Sequence, residues 1–389
     1  MAIRIAHISD THLGYRTHFR NGTDGRNQRA LDIEQAYTQV IDSILARGPF
    51  DLVVHTGDVF HHSRPSYSAV VWFIAQTSRL AALNCPVIVI AGNHDTSQLR
   101  TTETIFSVLR YSLPFVTFVS GTRPEVIEFA ELKLQVVAVP HGALENVSMA
   151  QPLVPDGYRS ILLTHGLAPT LADNPRREAG ETILEADMLS PGYDAILLGH
   201  FHLPDKVTHN AWYAGSTERI GWNDVRADPG WNTVTITDDG QVEIVRTSIP
   251  TRPMVEIAVN DPVGKDARTI ADEVLDLARR SAPEGAMIRA DLTGVDRLVR
   301  RSAEAMIRRD SADTFFWIHT FSRLDQFVTR SEDDRSAPAE AMKSLDDLFR
   351  DFCQDEVEEA EFRSRLLELG LAAIDAAQAE LNASDEAQA

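Results

Sequence analysis

Five apolar runs in this chain stop abruptly at residues of the kind that bind metals. Ile3–Ile8 leads into Asp10-Thr11-His12, Leu52–His55 into Gly57-Asp58, and Pro86–Ile90 into Gly92-Asn93-His94-Asp95. Ser160–Leu163 leads to His165, and Ala195–Leu198 to Gly199-His200-Phe201-His202. Ile3–Ile8 alternates and the others are short apolar runs; all read as strands, in an order that alternates with helices as an α/β structure does. In open α/β sheets the carboxyl ends of the strands line the ligand crevice. Groups scattered between positions 10 and 202 can therefore meet in one place. A single histidine at a strand end is more often structural than a ligand, and a single Asp-x-His says almost nothing. The complete set, always at strand ends, outweighs that bland reading.

Each group has its own logic. The two-residue offset of Asp10 and His12, like that of His200 and His202, is expected to point both side chains to one side of an extended segment. Gly57 permits a sharp turn that brings Asp58 to the crevice, where its two oxygens can bridge two cations. Asn93 offers a neutral amide oxygen. Two aspartates, one asparagine and four histidines make seven ligands with one shared. That number suits two divalent ions about 3.5–4 Å apart. Two carboxylates against two dications leave a net positive site, which favours a phosphodiester.

The surrounding pattern alternates strands and helices. Asp32–Ala46 reads as a helix with Ile33, Tyr37, Val40, Ile41 and Ile44 on one face, and Ser66–Leu83 as another. Trp72 and Phe73 on the latter read as core or subunit interface. The chain becomes strand-rich from Phe115, and Asp239-Gly240 marks a hairpin. Pro250-Thr251-Arg252-Pro253 marks a boundary. The β-α-β-α-β pattern beyond it includes a helix at Arg297–Arg309 whose Arg297, Arg300, Arg301 and Arg308 lie largely on one face. A polar stretch at 331–338 precedes two amphipathic segments. Met342, Leu345, Phe349 and Phe352 mark the first, and Phe362, Leu366, Leu369 and Leu371 the second. The expected domains are 1–252, 253–330 and 331–389.

The net charge of −20 is an awkward value for a partner of nucleic acid. It is unevenly spread, however. Residues 331–389 hold 17 acidic and 5 basic residues, so −12 falls there and −8 on the rest. Two distant cysteines, Cys85 and Cys353, exclude a disulfide scaffold and fit a reducing cytoplasm. No apolar run reaches the roughly 20 residues of a membrane span, and no signal peptide is expected.

The order D-x-H, G-D, G-N-H-D, H, G-H-x-H resembles the calcineurin-like metallophosphoesterases. That resemblance implies a sandwich of two β-sheets flanked by helices, with a dimetal site at its edge. It assigns Asp10, His12 and His202 to one metal, Asn93, His165 and His200 to the other, and Asp58 to both. His94 would sit beside the scissile phosphate as proton donor or transition-state stabiliser, and Asp95 would orient it. Three further stretches resemble the SbcD-like nucleases of double-strand-break repair: Asp58-Val59-Phe60-His61 followed by Ser63-Arg64-Pro65-Ser66, Arg29-x-x-Asp32 after Asp10-Thr11-His12-Leu13-Gly14, and Tyr213-Ala214-Gly215-Ser216-Thr217-Glu218-Arg219. In that family His61 would contact the nucleotide. The resemblance covers about residues 1–255; the second domain matches a capping, DNA-binding domain in position and size only. The segment 20–27 departs from the family as a longer, Gly-rich loop near the site.

The resemblance implies a metal-dependent DNA nuclease, with 3′–5′ exonuclease and endonuclease activity, that acts in the cytoplasm at the nucleoid. Manganese is the expected metal, and Mg²⁺, Fe²⁺ or Zn²⁺ also suit the mixed oxygen and nitrogen ligands. The expected partners are DNA, an SMC-like ATPase of the SbcC type docked on the C-terminal helices, and a second copy of the chain. The competing readings are a small-molecule phosphodiesterase or protein phosphatase with the same metals, and a scaffold without catalysis. His7 and His55, inside strands, read as core or as support for the ligands. His62 and His141 could line the cleft.

Overall fold

In the computed structural model, which describes residues 2–96, 104–146, 154–171, 182–189, 192–322 and 363–371 apart from positions 19, 23, 261 and 368, the first half alternates strand and helix. In chain order the strands are β1 (Ile3–Ile8), β2 (Leu52–His55), β3 (Val87–Ile90), β4 (Val116–Val119), β5 (Glu125–Phe129), β6 (Leu134–Val139), β7 (Arg159–His165) and β8 (Ala195–Gly199). They continue with β9 (Asp205–Lys206), β10 (Ala211–Tyr213), β11 (Gly230–Ile236), β12 (Val242–Ser248), β13 (Met254–Ala258), β14 (Met287–Asp291) and β15 (Trp317–Phe321). The helices are α1 (Gln28–Arg47), α2 (Tyr67–Thr77), α3 (Ile105–Ser112), α4 (Ala267–Ser281) and α5 (Arg297–Ser311). One six-stranded sheet runs β12-β11-β1-β2-β3-β4, a second β5-β6-β7-β8-β10-β9, and a three-stranded sheet β13-β14-β15.

The side-chain period of a strand sorts each apolar run between two layers. Ile3 and Ile5, Leu52 and Val54, and Ile88 and Ile90 join Leu134, Val136, Ile161, Leu163 and Leu197 in one cluster between the two large sheets. The alternate residues Ala6, Ile8, Val53, Val87 and Val89 pack with Ile33, Tyr37, Val40, Ile41, Phe73 and Phe106 of α1, α2 and α3. Ile196 and Leu198 of the second sheet face the other way, with Met188 and Tyr193. Both faces of these strands are thus dry, which is why they are apolar throughout. Each fully buried aliphatic side chain contributes roughly 1.5–3 kcal/mol.

The three-stranded sheet has its own core. Ile257 and Ile288 meet Ile270, Val274 and Leu275 of α4 and Ile307 of α5. The β-α-β-α-β order read beyond Pro253 is the order found. Residues 1–320 form one compact unit and the chain from 321 onward another. In the second unit the backbone is helical at 363–367 and 369–371. Met342, Leu345, Phe349, Phe352 and Phe362, and the boundary at 330, lie outside the described residues. Among the described residues no helix is long and apolar enough to cross a membrane.

Two expectations change. Helix α1 starts at Gln28 rather than Asp32, because the Asn27 side chain caps it by accepting from the Arg29 and Ala30 amides. The 20–27 loop, expected near the site, reaches the three-stranded sheet: the Arg20 guanidinium donates to the Phe315 and Phe316 carbonyls, each at 2.9 Å.

Candidate metal centre

Strand β2 pairs in parallel with both β1 and β3, and β7 with β8, so the carboxyl ends in each group open on the same side. The loops that leave them are laced together. Asp10 N–H donates to the Gly57 carbonyl and His12 N–H to that of Asp58, both at 3.0 Å. The extended geometry expected for Asp10 and His12 is not what is found. Both take left-handed backbone, with φ of 51° and 50°, as do Asp58 at 54° and His200 at 102°. Such conformations cost of order 1–3 kcal/mol each and persist only where the surroundings dictate them. Here the left-handed turns, rather than the pleat of an extended strand, aim these side chains. Gly57 makes its turn at φ 100°, and a Cβ on Gly92 would overlap the Asp58 carboxylate.

Of three ligand-type groups, Asp10 with His12 and His202 and Asp58 with His165 and His200 form two sets, and His12 also stands with His61 and His94. His12 Nε2 lies 3.1 Å from His202 Nε2. Asn93 Oδ1 lies 2.9 Å from His165 Nε2 and 3.2 Å from His200 Nδ1. Asp58 Oδ2 stands between the sets, 3.3 Å from His165 Nε2 and 3.7 Å from His12 Nε2. Separations near 3 Å are those of neighbouring ligands on one ion with bonds of about 2.1 Å.

Hydrogen bonds fix which nitrogen faces inward. His165 Nδ1 donates to the Thr56 carbonyl at 2.7 Å, and His202 Nδ1 to Asp224 Oδ2 at 2.9 Å. A carbonyl can only accept, so His165 carries its proton on Nδ1 when neutral and presents an Nε2 lone pair. Metal-bound histidines are held in this way. The donor set therefore fits a pair of divalent cations.

The electrostatics of the metal-free site agree. Burial opposes charge on His165, but the adjacent Asp58 carboxylate raises its pKa to about 9. Burial likewise opposes charge on His202, and Asp224 raises it to about 10. Burial, reinforced by His202, His94 and His61, keeps His12 neutral. Burial works against ionised Asp58, yet His165 and His12 hold it well below the usual carboxylate range. Two protons thus occupy places a cation would take, so metal binding should release protons and tighten as pH rises.

His61 and His94 flank this centre, their rings stacked with centroids 5.0 Å apart. His94 N–H donates to Asp58 Oδ1 at 2.9 Å, and its Nδ1 to the His61 carbonyl at 2.8 Å. Asp95, expected to orient His94, is spent elsewhere. Its carboxylate accepts from the backbone amides of Val59, Phe60 and Gly92, so it pins the turn rather than the imidazole. Burial, then Asp58, raises its pKa to about 7 against those three amides.

His62 packs beside His61 at 4.6 Å between centroids, and His141 beside His165 at 6.4 Å. His7 and His55 are buried, each bonded through Nε2 to a threonine hydroxyl, of Thr56 and Thr11 respectively. Asp224 was not anticipated, because it lies on a short irregular turn and only its closeness to the last motif hints at it.

The sequence profile of the calcineurin-like phosphoesterases matches residues 3–204, more than half of the chain. The chain belongs to the calcineurin-like phosphoesterase family. Its members are phosphoester hydrolases, and all seven ligand-type residues lie within the matched span. Among curated relatives, "DNA double-strand break repair protein Mre11" of Haloferax volcanii is 30% identical over 66% of this chain and 54% of its own length. The protein of the same name from Saccharolobus solfataricus is 28% identical over 70% of this chain and 71% of its own. That of Archaeoglobus fulgidus is 24% identical over 91% and 83%. The chain thus spans about half the length of the first of these relatives.

Proposed function

We propose that this phosphoesterase is a two-metal DNA nuclease. Asp10, His12 and His202 hold one ion, Asn93, His165 and His200 the other, and Asp58 both. The observation that carries the reading is the convergence of these seven side chains on one edge of the sandwich, with inward-facing nitrogens fixed by Thr56 and Asp224. Similarity to break-repair proteins supports DNA as the substrate.

Two divalent ions bound there would polarise the phosphodiester and offset its charge. The chain's own residues do the rest. The His61 carbonyl holds His94 by Nδ1, which leaves Nε2 as the nitrogen to hold or deliver a proton at the leaving oxygen. Stacked His61, with Tyr15 edge-on at 4.8 Å, forms a wall against which a nucleotide is positioned. Asp95 keeps Gly92 and the Val59-Phe60 turn in register, and so acts at one remove.

On the same reading Mn²⁺ is the working metal, the activities are 3′–5′ exonuclease and endonuclease, and the protein works with an SMC-like ATPase docked on its C-terminal helices. A homodimer is supported by Tyr67 and Val71 of α2 and Tyr111 of α3, which are 91%, 64% and 90% exposed. The test is hydrolysis of linear duplex DNA against bis-p-nitrophenyl phosphate, with and without Mn²⁺. Manganese-dependent turnover of both supports the proposal. Turnover of the small diester alone favours a small-molecule phosphodiesterase, and turnover of neither overturns the catalytic reading.

A further inference from the structure

The turn Trp222–Asp224 faces two ways. On one side Asp224 Oδ2 accepts three N–H groups: His202 Nδ1 at 2.9 Å, the Ile220 amide at 2.8 Å and the Gly221 amide at 3.2 Å. The two amides tie the carboxylate to its own turn, so a displacement of the turn carries the carboxylate with it. On the other side Trp222 packs with Met254, Met287 and Phe316, which belong to or adjoin the three-stranded sheet. The guanidinium carbon of Arg289, from β14, stands 5.3 Å from the Trp222 ring centre. A single residue, Asn223, therefore separates a side chain seated against the three-stranded sheet from a carboxylate that aims a ligand-type residue of the large sandwich.

We propose that Trp222 and Asp224 are positioning residues through which the three-stranded domain sets the orientation of His202, and with it the affinity of one of the two metal positions. This rests on the metal-centre reading given above. A hydrogen bond of 2.9 Å stretched by 1 Å is no longer one. A small shift of the domain would then free the His202 ring. The Asn93, His165 and His200 position is oriented by Thr56 and Asn93, which do not touch this turn. The coupling is therefore one-sided. Loosening the domain weakens the position of Asp10, His12 and His202 and spares the other. A ligand or partner that pulls on the three-stranded domain would act on catalysis by that route.

The test is Mn²⁺ titration of the full chain by calorimetry, with hydrolysis of bis-p-nitrophenyl phosphate followed in parallel. The wild type should bind two ions. Trp222→Ala should weaken one of them about tenfold or more, the loss usual when the support of a ligand is removed. The other should change by less than about twofold, and Trp222→Phe should restore both. If Trp222→Ala does not fold, Met287→Ala opens the same contact from the opposite side and should give the same one-sided loss. Unchanged affinities, or equal weakening of both, in a folded variant would overturn the proposal. A wild-type chain that binds no pair of ions would instead overturn the metal-centre reading beneath it.

Discussion

His94 is held by its backbone N–H on Asp58 and by Nδ1 on the His61 carbonyl, and neither contact engages Nε2. His94→Ala should therefore keep both metals and lower the cleavage rate by about 100-fold or more, the usual contribution of a positioned proton donor. Metal content and turnover measured on the same preparation check this; loss of an ion would make His94 a ligand instead. His7 and His55 give a second prediction. Burial lowers both to about 3, reinforced by His55 and Arg246 at His7 and by His165, against Asp58, at His55. The unfolded chain takes up these protons below about pH 6.5, whereas the folded chain refuses them. Their contribution to stability is therefore full above 6.5 and is lost as pH falls towards 3, at up to about 1.4 kcal/mol per unit for each histidine. Urea unfolding of the metal-free protein between pH 6.5 and 5 should show this slope. His7→Gln, which can still meet the Thr56 hydroxyl, should make it shallower; an identical slope would remove His7 from the account. The residues that converge at the centre were legible because Asp, Asn and His are ligand types and here all follow apolar runs. Backbone direction was not, since the left-handed turns at Asp10 and His12 depend on the carbonyls of Gly57 and Asp58, more than 40 positions away just beyond β2.

The central strands were legible from apolar runs, because burial on both faces leaves few polar residues in them, His7 and His55 among these. The two- and three-residue strands β9 and β10 are too short to carry such a signal, and α3 carried none. The junction between the large sandwich and the three-stranded sheet was legible only as a proline-rich stretch. Its physics lies in a buried ion network. Arg252 at the boundary donates to both oxygens of Asp32 in α1, at 2.6 and 2.8 Å, and to the Gly285 carbonyl. Arg29, fully buried, donates to Asp32 at 2.8 Å and lies 3.8 Å from Glu218. Burial opposes ionisation of Asp32, but Arg252 and Arg29 hold its pKa below the usual value. Asp32→Ala would leave Arg29 buried with Glu218 as its remaining acidic neighbour. The cost of breaking such a pair is about 3–5 kcal/mol. Thermal unfolding should fall accordingly. A loss under about 1 kcal/mol, in the range of exposed pairs, would mean the network does not brace the junction.

At the scale of the whole molecule the net charge of −20 stands against a nucleic-acid substrate, and the distribution of charge resolves the conflict. Most of the excess lies beyond residue 330, while α5 presents Arg297 and Arg301 exposed and Arg308 stacked over Trp317 at 5.7 Å. Reversing Arg297 and Arg301 to glutamate should weaken DNA binding at low salt and reduce the salt slope by about 2, one per lost phosphate contact. Unchanged affinity would place the DNA path elsewhere. The family, the sandwich and the convergence of the seven ligand-type residues could all be read from the order of five motifs; the links between the large sandwich and the three-stranded sheet could not, because they are made by single side chains with no periodicity. The claim on which everything functional depends is that seven residues from five strand ends hold two ions astride Asp58. Anomalous diffraction from crystals soaked in Mn²⁺ measures it directly. The account predicts two peaks about 3.5–4 Å apart, one beside Asp10, His12 and His202 and one beside Asn93, His165 and His200. A single peak, or peaks away from Asp58, would contradict it.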